Sequence, residues 1–336
     1  MIEGTPLKGD GPDESRLRNM TKQPPLFRAI LAATAAGSSI DAAVLTAARM
    51  AMRHHAHLHI VHAVPLRQAA GRGGRTAPVR TPPGLGSRED SEAKARSLHD
   101  LYAAHFPFLH PEDIRIVWGV AWEVVFRTAL ELHCDLIVMG PHTRSPGTEK
   151  APITARFLGS TADGVISRSR CPVLIANGAF EAGQLEFKNI VVGVDFSESC
   201  TAAMGLAALF AQYCGACITA FHMLPIAPYP KYSPETQQTD HARQQKRMQA
   251  LCGKLPAGAG HQSVLKPGVQ PHMEILRFVG QVGADLIVMG SHTRNRAGKW
   301  YAGSVVQQVA CHARCPVIVV NGPEALKPWE VVSPSY

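Results

Sequence analysis

Short apolar runs alternate with longer segments of helical periodicity along most of the chain. Asn189-Ile190-Val191-Val192-Gly193-Val194 is a continuous apolar run of the kind a parallel sheet buries on both faces. Asp195-Phe196-Ser197-Glu198 then turns the chain toward a helix, with Ser197 or Asp195 as candidate cap. Beyond it the pattern predicts a helix over 202–213, a strand over 217–223, a polar helix over 234–255 and another helix over 273–282. A strand over 285–289, a helix over 305–313 and a strand over 317–320 complete the series. The first half follows the same order, opening with a strand over 29–34, a helix over 41–54 and a strand over 57–64. Strands alternating with helices imply a parallel sheet with right-handed crossovers, an open three-layer α/β sandwich.

The two halves are copies. Asp135-Leu136-Ile137-Val138-Met139-Gly140-Pro141-His142-Thr143-Arg144 recurs as Asp285-Leu286-Ile287-Val288-Met289-Gly290-Ser291-His292-Thr293-Arg294, one substitution in ten positions at an offset of 150. Upstream, Ile30 maps onto Ile190 and His62 onto His222 at an offset of 160. Downstream, Cys171-Pro172-Val173 maps onto Cys315-Pro316-Val317 at 144, and each copy then reaches Asn-Gly. A period near 150 is one ordinary domain rather than a solenoid unit. The expected organisation is a tail over 1–25, a first domain over 26–178, a second over 187–321 and a tail over 322–336. The falling offset places ten extra first-copy residues between His62 and Met139, where the Arg-rich stretch 67–92 lies, and six more after Arg144.

Composition narrows the class. At 336 residues and 46% hydrophobic, the chain can bury two cores. Its apolar runs fall short of the roughly 20 residues a bilayer span needs. Residues 1–25 lack an apolar signal core, so a cytoplasmic location is expected, with the eight cysteines as reduced thiols. Cys214-Gly215-Ala216-Cys217 has C-x-x-C spacing, but it lies where a helix pattern gives way to a strand. The net charge of +8 owes much to Arg67, Arg72, Arg75, Arg80 and Arg88, in a Gly- and Pro-rich stretch without acids. With no aromatics for base stacking, that stretch reads as a solvated loop rather than a nucleic-acid surface. His54, His55, His57, His59 and His62 place five imidazoles in nine residues, and His55, His57 and His59 share one strand face. With no carboxylate or cysteine nearby in sequence, they read as strand residues, and no metal site is assigned.

Ligands of open α/β sheets bind at the carboxyl ends of the strands, near the point where strand order reverses. In the second copy that edge carries Gly193-Val194-Asp195 and Met289-Gly290-Ser291-His292-Thr293, and nine residues after Thr293 come Gly303-Ser304. Free amides at a helix start attract phosphate, glycine allows close backbone approach, and a hydroxyl adds a donor. Asp195 is placed to accept a hydrogen bond from a ribose hydroxyl. The sequence contains no G-x-x-x-x-G-K-[S/T], no H-E-x-x-H and no G-x-S-x-G, which disfavours a dedicated hydrolase, kinase or dehydrogenase.

These blocks, with the Arg314-Cys315-Pro316-Val317 ending, resemble the universal stress protein family over about residues 26–178 and 187–321. The resemblance implies two five-stranded parallel sheets, each ordered 3-2-1-4-5, of the adenine nucleotide alpha hydrolase-like kind. It also implies a role in stress survival or signalling rather than metabolic catalysis. Members that bind ATP show G-x-x-G, nine residues, then G-[S/T]. Carried over by position, Gly193, Val194 and Asp195 would meet adenosine and Met223 the adenine. Met289, Gly290 and Thr293 would line the ribose and phosphate path, with Gly303, Ser304 and Val305 at the phosphates. Thr293 and Thr143 both stand where the family has its second glycine. In the first copy fifteen residues separate Thr143 from Gly159-Ser160, and Ala35 occupies the place of Asp195.

The expectation is therefore ATP, or another adenine nucleotide, in the second domain only, and no enzymatic activity. Two other readings stay open: a nucleotide-independent interaction module, and a slow ATPase or autophosphorylating protein using Ser304 or Thr293. The family's edge pairing implies that residues 173–176 meet 317–320 within one chain, a pseudo-symmetric dimer, with pairing of whole chains a further alternative.

Overall fold

The computed structural model describes residues 25–37, 40–65, 88–142, 157–177, 187–226, 234–256, 258–291 and 303–322. The first half contains β1 (Ala29–Ala33), α1 (Ala42–His54), β2 (His57–Val64), α2 (Arg88–Ala103), a 3-10 turn (Pro111–Asp113), β3 (Ile114–Trp118), α3 (Ala121–Glu131), β4 (Leu136–Met139), α4 (Ser160–Ile166) and β5 (Val173–Ile175). The second contains β6 (Asn189–Gly193), α5 (Glu198–Cys214), β7 (Cys217–Pro225), α6 (Pro234–Cys252), β8 (His261–Gly268), α7 (Pro271–Val282), β9 (Leu286–Gly290), α8 (Ser304–His312) and β10 (Val317–Val320). All ten strands join one sheet, in the order β3-β2-β1-β4-β5-β10-β9-β6-β7-β8. Each half is thus a five-stranded parallel sheet ordered 3-2-1-4-5, the predicted architecture. The halves join through one antiparallel pair, β5 with β10, in which Val317 faces Ile175 and Val319 faces Val173. Two apolar edges that would otherwise expose unpaired amides cover one another.

Alternate residues along the central strands feed two core layers, and both layers run through both halves. Ile30, Ala32, Ile190 and Val192 point to the layer holding α1 and α5, where Phe27, Phe187 and Phe210 pack. Leu31, Val191, Ile287 and Val317 point to the opposite layer. The aspartate of the repeated block anchors each sheet. Asp135 accepts from the amides of Arg28 and Ala29 at 2.8 and 3.2 Å, and Asp285 from those of Lys188 and Asn189. Each clamps the start of its half's first strand to the start of the fourth.

Several boundaries shift by a few residues from the pattern-based expectation. Helix α5 begins at Glu198, ahead of the stretch 202–213 read as helical, and of the two candidate caps it uses Ser197, which accepts from the Cys200 amide at 3.1 Å. It ends at Gly215, whose φ of 69° closes the helix, so the C-x-x-C is a helix stop leading into β7. Strands β3 and β8 were not located from periodicity. Strand β8 reads His-Gln-Ser-Val-Leu-Lys-Pro-Gly, a largely exposed edge strand with a lysine and a proline and no apolar run to betray it.

The repeated asparagines lie at the junction of the halves. Asn321 donates through Nδ2 to the carbonyls of Ile166 and Ser169, at the end of α4, and Asn177 donates to Ala310 in α8 at 2.8 Å. Each half thereby ties the opposite half's last helix. The pairs are not equivalent. Ser291 donates its hydroxyl to Asn321 Oδ1 at 2.5 Å, whereas its counterpart is Pro141, and Asn177 Oδ1 is buried without a hydrogen-bond partner among the described residues. His54 is the other asymmetric residue here. It is fully buried against Phe27 and Tyr213, and burial lowers its pKa to about 3.

Candidate functional site

Strands β6, β7 and β9 run parallel, so their carboxyl ends share one edge, and Gly193 lies opposite Met289 on one side and Phe221 on the other. Asp195, the second residue after β6, is exposed, and its Oδ1 accepts from the amide and hydroxyl of Ser197 at 2.9 and 2.6 Å. This turn forces Phe196 to a φ of 63°, costly for an aromatic residue. The ring is held there by His222 at 4.7 Å and by the Arg247 guanidinium at 4.0 Å. His222 in turn donates from Nδ1 to the Val194 carbonyl at 2.7 Å, and burial lowers its pKa, which favours the neutral ring. The strand-two histidine is thus a brace for the end of strand one.

Helix α8 follows β9 and starts from the same edge. Its N-cap, Gly303, offers no side-chain oxygen, and no acid lies in the first turn. The leading amides and the exposed Ser304 hydroxyl therefore face no acid from the helix's own first turn, and Val305 is half-buried. From the other half, the Asp163 carboxylate accepts from Gln307 Nε2 at 2.9 Å.

Several predicted contacts have packing roles. A Cβ on Gly193 would lie 3.3 Å from Met289 Cε, so this glycine makes room for a methionine that is itself buried. A Cβ on Gly290 would fall 2.5 Å from backbone atoms of Ser199 and Cys200; the glycine admits the extra first turn of α5. Met223 is half-buried and seats against Gly268, where a Cβ would lie 2.9 Å from its sulfur. Val194 is buried. Asp195 and Ser304 are the exposed polar groups of the set. Thr293 and its counterpart Thr143, with His292, residues 67–87 and most of the six-residue insertion, lie outside the described residues.

The first half keeps the scaffold but places different side chains at the same edge. His62 donates to the Thr34 carbonyl at 3.0 Å, as His222 does to Val194, and Ala36 takes a φ of 53° where Phe196 takes 63°. Asp41, rather than residue 35, supplies the carboxylate. It caps α1 through the Val44 amide and also accepts from the Thr34 hydroxyl at 2.7 Å and the Ala35 amide at 3.2 Å. Fully buried Tyr102 closes the group, its hydroxyl 2.9 Å from Thr34 Oγ1, and burial pushes its pKa up to about 12. At the α4 start, Gly159 donates to the Pro141 carbonyl at 2.9 Å, and a Cβ there would sit 3.4 Å from the His142 Cα. Asp163 adds a negative charge in that helix's first turn. The Pro141 carbonyl and the Asp163 carboxylate thus both bring negative charge to that helix start.

One grouping escaped the sequence reading: the structure brings Asp113 onto His57 and His59. The signal that could have found it was the pairing of β2 with β3, and β3 had not been located.

The fold has counterparts among known proteins. The model of the universal stress protein family matches residues 26–177 and 186–321, and the chain belongs to that family. A universal stress protein of Mycolicibacterium smegmatis is 26% identical over 299 residues, covering 87% of this chain and 96% of that protein. A universal stress protein from Archaeoglobus fulgidus shares the fold at 15% identity and a TM-score of 0.57, covering 89% of this chain and 97% of that one. Another from the same organism, solved in complex with dAMP, is 25% identical and covers 41% of this chain and 100% of that one, with a TM-score of 0.31. Among the described residues, no helix is long and apolar enough to cross a membrane.

Proposed function

We propose that this tandem universal stress protein binds an adenine nucleotide, ATP or a close relative, in the second domain alone, and acts by binding rather than by catalysis. One contrast carries the reading. The second half presents an exposed Asp195 and an α8 start with no acid in its first turn, while the first half has Ala35 in place of that aspartate, Asp41 bonded back to Thr34 and Ala35, and Asp163 in the first turn of α4. In the bound state Asp195 would take the ribose hydroxyls, Gly303, Ser304 and Val305 the phosphates, and Val194 and Met223 the adenosine face. Gly193, Met289 and Gly290 would shape the floor, with Thr293 on the phosphate path. The working units are residues 26–178 and 187–321, paired edge to edge within one chain, so a mass near 36.2 kDa is expected in solution. Eight free cysteines fit a reducing, cytoplasmic setting.

Calorimetry with ATP on the wild type and on Asp195→Ala tests the assignment. The substitution should weaken binding roughly tenfold or more, the scale of a charge-assisted hydrogen bond. Absence of both heat and co-purified nucleotide, checked by mass spectrometry of the denatured protein, overturns it and leaves the interaction-module reading. Phosphate release abolished by Ser304→Ala would instead establish the slow ATPase.

A further inference from the structure

At the opposite, amino edge of the first sheet, two imidazoles and a carboxylate converge. His57 and His59 lie two residues apart on β2 and so share a face. The β2–β3 register, with Ile60 opposite Ile114, sets Asp113 beside His59 on that same face. Asp113 Oδ1 lies 2.7 Å from His57 Nε2 and 3.9 Å from His59 Nδ1, and the three ligand atoms fall within 4.8 Å of one another. The carboxylate is already oriented, because its Oδ2 accepts from the His110 amide at 2.9 Å. The Asp113 side chain is 7% exposed, His59 16% and His57 56%, so the group is closed behind the carboxylate and open over His57.

The second half shows that strand pairing does not require this set. The counterparts of His57 and His59 are Cys217 and Thr219, and Gln262, opposite Thr219, donates to its hydroxyl at 2.8 Å. A neutral hydrogen bond does there what the first half does with two imidazoles around a buried carboxylate.

We propose that His57 Nε2, His59 Nδ1 and Asp113 Oδ1 bind one divalent first-row transition-metal ion of the zinc type, leaving coordination positions open toward solvent over His57. Two nitrogens and one carboxylate oxygen are a three-ligand set of the sort zinc accepts with an open fourth position. Zinc requires ligand distances of ~2.0–2.2 Å, and His57, the most exposed of the three, is the ligand best able to adjust toward them. The ion fastens the start of edge strand β3 to β2.

Titration of the full, tag-free chain with Co²⁺, followed by visible absorption and calorimetry, tests this. One saturable equivalent with ligand-field bands, no thiolate charge-transfer band and displacement by Zn²⁺ is the expected result. Metal should also raise the unfolding temperature in proportion to the logarithm of its concentration. His59→Gln, Asp113→Asn and His57→Gln should each weaken binding by at least ~10-fold, since even outer partners of a metal site count on that scale. Cys214→Ser and Cys217→Ser should leave binding unchanged. Should Asp113→Asn fail to fold, His57→Gln, on an exposed ring, decides the question. Absence of saturation at one equivalent, unchanged affinity in the His57→Gln, His59→Gln double variant, or a thiolate band overturns the assignment.

Discussion

In the second half, the helix after the first strand starts at Glu198 and Asp195 stands exposed before it; in the first half, that helix starts at Ala42 and its cap, Asp41, reaches back into the crevice. The backbone beneath is the same. Both halves bend through a positive φ at matching residues, and both brace the bend with a strand-two histidine. What differs is where the carboxylate sits: exposed on its own turn at Asp195, or held by the Thr34 hydroxyl and Ala35 amide at Asp41. The comparison separates two kinds of constraint. Interactions made to backbone survive divergence, because any sequence offers them, whereas a ligand crevice depends on which side chains are left unfilled.

The junction offers the largest expected effect, because His54 has Cys214 as its counterpart in the second half. Its folded pKa, about 3 against 6.5, lies below the unfolded value. Between these values the unfolded chain binds the extra proton, so stability is full above pH 6.5 and falls as pH drops toward 3. Urea unfolding at pH 7 and pH 4 should show a loss of roughly 3 kcal/mol attributable to this group, absent in His54→Phe. An equal pH dependence in the variant would remove His54 from the account.

The glycines at the ends of β4 and β9 separate the two crevices next. Gly290→Ala drives a Cβ into the α5 backbone and should destabilise by about 2–3 kcal/mol in denaturant titrations. Gly140→Ala, whose Cβ would meet nothing closer than 3.6 Å, should fall within about 0.5 kcal/mol of wild type. Similar losses for both would mean the extra turn of α5 does not depend on Gly290.

The Ser291 and Pro141 pair carries a smaller effect. Ser291→Ala strands Asn321 Oδ1 in the interior and should cost about 1–2 kcal/mol. Pro141→Ser offers Asn177 the donor it lacks, a gain of no more than ~1 kcal/mol because losing proline also loosens the unfolded chain. Thermal unfolding of both variants checks the opposite signs.

The central strands were legible because burial on both faces demands continuous apolar runs such as Leu286 to Met289, and duplication showed these runs in both halves. Edge strands β3 and β8 were not legible. Open on one side, they need no such run, and Lys266 and Pro267 masked the second. The same blind spot hid the His57, His59, Asp113 grouping, since a carboxylate more than fifty residues away is brought in by the register of an unlocated strand. In the crevice, the absence of an aspartate at Ala35 was readable. Its replacement by Asp41 and Tyr102 was not, because both arrive from positions set by helix packing.

Ser291 follows Gly290 at the lip of the second crevice, and through Asn321 it is one side chain removed from the Ile166 and Ser169 carbonyls of the other half. Displacement of that lip therefore stretches a hydrogen bond across the junction or drags the end of α4 with it. The two halves are thus joined by side-chain hydrogen bonds as well as by the β5–β10 ladder.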